Sequence, residues 1–127
     1  MPVYVLLVSL HYWLSRIGIA IGLLMLALAL YIGLLRHGDV TRWFRRATYA
    51  VVGYTAVEAL IGLIMLLIGG RPAEDIHLVY GAGAVLCLPF FIFVETTAKK
   101  RPAMGSYMWG FTLLVAIIVR CIMTGTA

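Results

Sequence analysis

The sequence predicts an all-α fold, an integral membrane four-helix bundle, on three observations. First, the 127 residues are 64% hydrophobic and only 12% charged, about half the charged share of an ordinary soluble domain. Second, the apolar residues gather in four runs that fill nearly the whole chain, each about 20 residues or more, long enough to cross a bilayer as a helix. Their hydrophobicity is continuous, not the alternating kind of a transmembrane barrel. Third, seven of the ten basic residues fall in two connections: Arg36, Arg42, Arg45 and Arg46, then Lys99, Lys100 and Arg101. That is the charge bias of cytoplasmic loops. The net charge of +5 therefore reads as topology, and no nucleic-acid partner is expected.

The first helix is expected over about 9–35. The apolar residues Val3 to Val8 before it either extend it or are absorbed by tilt. Arg36 to Arg46 forms the first basic loop, with Gly38 and Asp39 breaking the helix and Trp43 and Phe44 suited to the interface. The second helix covers about 47–68 and ends at Gly69, Gly70 and Pro72. The third covers about 75–97, with Glu74 and Asp75 at its positive end. After a second basic loop, the fourth covers about 105–123. With both basic loops cytoplasmic, the N-terminus, the Arg71–Asp75 loop and the C-terminus lie outside. The start lacks a basic segment, and its apolar run is too long for a cleaved signal. Cys87 and Cys121 sit in apolar runs, which argues against a disulfide framework.

A weak internal repeat relates the first and third helices. Each carries a histidine near its outer end and finishes in a basic loop. At 1.5 Å per residue, His11 stands about 37 Å above Arg36 and His77 about 33 Å above Lys99. The same helical face below each histidine is small: Ser15 and Gly18 under His11, Gly81 and Ala84 under His77. Parallel repeats about the membrane normal would make the two imidazoles face each other. That is the disposition of two axial ligands of a haem iron in a helix bundle. The plain alternative is a pair of interfacial histidines.

Glu58 is the other conspicuous residue. It lies 12 residues from both Arg46 and Gly70, about 18 Å from either, close to the midplane. A carboxylate there costs about 2.5–3.5 kcal/mol or more unless paired or protonated, so a role as proton donor or relay is the default reading. The alternative is a neutral acid bonded to a neighbouring helix. Arg120 shares a face with Trp109, Thr112 and Ala116, and its guanidinium suits a bidentate grip on a haem propionate; snorkelling to headgroups is the alternative. Arg16 is expected to face a neighbouring helix or another protomer. The methionines read as packing residues. Gly18 and Gly22 form a small-xxx-small pair that favours close helix approach and supports oligomers.

The run LHYWLSRIGIAIGLLMLALALYIGLLR resembles the histidine-bearing helix of the heme A synthase family, and RRATYAVVGYTAVEALIGLIMLLIGGRPAEDIHLVYGAGAVL resembles the two helices that follow. Members of that family usually have eight crossings in two related halves, so this chain matches one half. The resemblance implies a prokaryotic cytoplasmic membrane protein that oxidises a methyl group of heme O to the formyl group of heme A. It also implies a bound haem (b-type, or heme O and heme A as substrate and product) with His11 and His77 on the ligand positions. One haem site per chain implies a homo-oligomer, and the oxidation implies an electron acceptor. The glutamate usually found three residues before the first histidine is Val8 here, and the usual loop cysteines are missing. Glu58 is then the carboxylate left to act. Two other functions remain open: a b-type cytochrome subunit of a membrane complex, and a small proton-coupled transporter working through Glu58 without haem.

Overall fold

The computed structural model describes residues 2–125, and these form four helices joined by short connections. All four are long and apolar enough to span a membrane. Helix α1 runs over Pro2–Leu30 and continues as a π-helical turn over Tyr31–Leu35. Helix α2 covers Arg42–Leu67, α3 covers Ile76–Thr96 and α4 covers Gly105–Gly125. Each helix packs on its two neighbours in a closed ring, α1 on α2, α2 on α3, α3 on α4, and α4 back on α1. Helices α1 and α3 are thus diagonal partners across the bundle.

Two helix borders differ from those expected, each for a local reason. Helix α1 begins at Pro2, because the residues Val3 to Val8 join it; proline is well suited to the first helical turn, where no amide partner is lost. Helix α2 begins at Arg42, so Arg42, Arg45 and Arg46 are helical instead of lying in a loop. Thr41 starts it early: its hydroxyl accepts from the Phe44 amide at 3.2 Å, an N-cap that basic composition does not reveal. The other ends follow their breakers. Gly69 adopts φ 104° while the Gly70 amide reaches back to the Met65 carbonyl at 2.8 Å, closing α2 in a Schellman turn.

The two ends of the bundle are built differently. At the end of the basic connections, Met25, Ala29, Ile32, Phe44, Leu88 and Met104 meet the α4 stripe of Tyr107, Phe111 and Leu114 in one dry core. Phe44 stands edge-on to both Tyr107 and Phe111, at 5.3 and 6.0 Å between ring centres. Small residues let α1 close on this core: a Cβ on Gly22 would come within 2.7 Å of Val115. The Gly18–Gly22 pair therefore serves packing of α1 on α4 within one chain. Toward the opposite end the α1 residues above Ser15 are no longer fully buried, and the bundle opens into a cavity.

Candidate functional site

His11 projects from the N-terminal part of α1 and His77 from the first turn of α3, and the diagonal packing brings them together. Their ring centres are 6.1 Å apart and the planes stand at 82°. His77 is held by α4: its Nδ1 donates to the Cys121 carbonyl at 2.8 Å, with the Thr124 hydroxyl at 3.3 Å. A carbonyl only accepts, so Nδ1 carries the proton and Nε2 keeps its lone pair. The end of α4 can lie this close only because residue 125 is glycine; a Cβ there would sit 2.7 Å from His77 Cε1. Gly62 backs His11 in the same way, with a virtual Cβ 3.2 Å from His11 Cε1. The turn after α2 is tied to α4 as well, since the Glu74 amide donates to the Thr124 carbonyl at 2.9 Å.

His11 is satisfied less well. Its Nδ1 is the one buried side-chain nitrogen or oxygen without a hydrogen-bond partner among the described residues. Leaving such an atom unpaired costs about 1–3 kcal/mol. Both imidazoles line a cavity of about 600 Å³ whose wall also includes Gly62, Gly81, Tyr4 and Arg71. A Cβ on Gly81 would meet nothing within 4 Å. Clearance therefore lies beside His77. Gly18, expected to give it under His11, is instead filled in by Tyr54 and Ile118.

Glu58 lies below the imidazoles and faces a second, much smaller cavity of about 40 Å³ shared with His11, Ser15, His77 and Cys121. The Ser15 hydroxyl donates to Glu58 Oε1 at 2.5 Å and also lies 2.7 Å from the His11 carbonyl. One hydroxyl proton is thus shared between the carboxyl and the helix turn that carries His11. Beside it, the Tyr54 hydroxyl donates to the Leu14 carbonyl at 2.6 Å. The carboxyl therefore has a fixed hydroxyl partner, and it shares the small cavity with the histidine pair without lining the main one.

Arg120 is not brought to this site. It is exposed, with its guanidinium 5.5 Å from the centre of the Tyr80 ring, and Trp109, Thr112 and Ala116 on its face are exposed too. Helix α4 turns the opposite stripe, Tyr107, Phe111, Leu114 and Ile118, into the bundle. The arginines that do line the cavity are Arg16 and Arg71.

A second polar cluster at the other end had not been singled out. Glu95, completely buried, receives Arg45 through two bonds of 3.1 and 2.9 Å, Arg101 at 2.8 Å and the Tyr107 hydroxyl at 2.7 Å. Asp39 extends it, accepting from the Ala103 amide at 2.9 Å and approaching Arg101 at 3.4 Å. The Ala103 amide, with Val40 and Arg101 adding to it, holds the Asp39 carboxyl below the usual carboxylate range. Every member of the cluster has a partner, so it is a clasp for the basic connections and not a second reactive centre. The available sequence signal was an acid at the end of a helix flanked by basic loops.

Neither family models, nor characterised proteins, nor solved structures give a match to this chain. Bonds of about 2 Å to one nitrogen of each ring would leave ring centres about 6 Å apart, and the observed separation of 6.1 Å is compatible with that. His11 and His77 are the residues that would hold a haem iron, since neutral imidazole is a usual haem ligand. The cavity volume lies in the range of cofactor pockets.

Proposed function

We propose that this chain is an integral membrane haem protein in which His11 and His77 ligate one iron. We further propose that it acts as a half-size heme A synthase. The observation that carries the haem reading is the pair of facing imidazoles at 6.1 Å. It is supported by the proton fixed on His77 Nδ1, which leaves Nε2 to the metal, and by the cavity that both rings line. In this reading the basic connections face the cytoplasm of a prokaryotic cell, while both termini and the Arg71–Asp75 turn face outward. Bound haem supplies redox chemistry at the iron. The chain supplies orientation through Cys121, Thr124 and the glycine backs of the two rings, and it excludes water with apolar walls. Glu58, joined to the His11 turn through Ser15, is the carboxylate placed to hold or pass a proton. Converting a methyl to a formyl group takes one oxygen atom from water and passes four electrons to an external acceptor, with four protons released, and one site per chain fits a homo-oligomer.

One observation favours a b-type cytochrome as the second reading. The cavity wall carries Val8 where the heme A synthase resemblance implies a glutamate, and among the described residues no carboxylate side chain lines the larger cavity. The two readings share the ligands and differ in product. Purified full-length protein should show a low-spin Soret band that His11→Ala or His77→Ala removes. Pigment extracted from cells supplied with heme O should contain heme A if the chain is a synthase and unchanged haem if it is a cytochrome. A colourless wild-type protein that stays colourless when supplied with haem would end both readings.

A further inference from the structure

The histidines account for the centre of the large cavity but not for the charges on its wall. Arg16 and Arg71 both line it, and neither makes an ion pair among the described residues. The Arg71 guanidinium is drawn back over the end of α2, with Nη1 donating to the Gly70 carbonyl at 3.1 Å and lying 3.4 Å from that of Leu66. That holds it at the outer mouth of the cavity. There Tyr4, two turns above His11, meets Gly70. Arg16 is turned back up its own helix: Nη1 donates to the Tyr12 carbonyl at 3.2 Å and the guanidinium lies 3.5 Å over the Tyr12 ring. It therefore reaches one turn back along α1 to Tyr12, the residue after His11.

All these bonds go to neutral carbonyls, so each guanidinium keeps donors free. Arginine is the side chain best suited to grip a carboxylate in a site of low polarity. The cavity wall thus combines apolar and aromatic residues, two imidazoles and, among the described residues, two cations without an ion pair. The complementary ligand is a flat apolar body bearing carboxylates at its edge. We propose that Arg71 and Arg16 are the binding residues for the carboxylates of the cavity ligand, which, on the haem reading above, are the propionates. They orient the macrocycle with its acidic edge toward Arg71 and the outer face. The role expected for Arg120 passes to these two residues.

The test compares haem b with its dimethyl ester, titrated into the full chain purified without added haem and followed at the Soret band. Both should give the low-spin spectrum, since ligation needs only the histidines. The ester should bind about tenfold more weakly, equivalent to about 1.4 kcal/mol. The double variant Arg16→Gln/Arg71→Gln should weaken the free acid to the level of the ester and leave ester binding unchanged. Equal affinities for acid and ester in the wild-type chain would overturn the carboxylate assignment while leaving the bis-histidine site intact. In that case, micelles doped with phosphatidylglycerol that protect Arg71 from a guanidine-directed reagent would identify lipid phosphate as the anion instead. No low-spin band with either compound would overturn the assignment and the haem reading together. The comparison in the wild-type chain decides the matter even if the variant fails to fold.

Discussion

Single residues carry the sharpest consequences. Gly62 leaves just enough room for the His11 ring, and a side chain there must push the imidazole away. Gly62→Val is expected to weaken haem binding at least tenfold while the protein remains helical, measured by Soret titration beside far-UV circular dichroism. Glu95 is the opposite case, important for stability and remote from the cavity. Removing it leaves the buried Tyr107 hydroxyl without its acceptor and two arginines without their shared counter-charge. Glu95→Ala should cost about 2–4 kcal/mol, read as a lower unfolding midpoint in detergent, with the Soret maximum of the folded fraction unmoved. The arginines are partly exposed and regain water, which keeps the cost below that of stranding a fully buried ion.

At the scale of elements, the decisive contact is α1 on α4. Gly22 brings the two backbones so close that an added Cβ would overlap Val115. Gly22→Leu should destabilise the bundle by about 1–3 kcal/mol through overpacking. Val115→Ala should restore part of that loss in the double variant, because the two sites share the same space. Thermal unfolding of the four proteins in one detergent measures the coupling. An additive result would show that α1 and α4 do not meet there. The same contact supports function indirectly. It closes the bundle below the histidines, where only the small cavity beside Ser15 and Glu58 remains.

For the whole molecule, charge and packing divide the labour between the two ends. The end with the basic connections is dry, aromatic and clasped by Glu95. The other end is open, lined by small residues and supplied with His11, His77 and Arg71. The orientation proposed above rests on the charge bias of the basic connections. A C-terminal alkaline phosphatase fusion should therefore be active and a C-terminal green fluorescent protein fusion dark, with the reverse for fusions after Lys100. Swapped signals would place the cavity mouth toward the cytoplasm.

The number of helices, their apolar lengths and the placing of His11, His77 and Glu58 along them were all legible without coordinates. Continuous hydrophobicity and glycine or proline breaks act over a few residues, and rise per residue converts position into depth. Helix starts were less legible, because Thr41 caps α2 through a single hydroxyl in a stretch that composition marks as loop. What only the tertiary structure decided is which way each face turns. Arg120 and Arg71 look alike as lone arginines near outer helix ends, yet α4 buries its Tyr107 stripe and leaves Arg120 outside, while the turn after α2 sets Arg71 on the cavity wall. Glu95 likewise gains its meaning from Arg45, 50 residues earlier in the chain. Local sequence sets periodicity and depth. The rotation of one helix against another is set by contacts between residues far apart in the chain, and those rotations determine which side chains share the cavity.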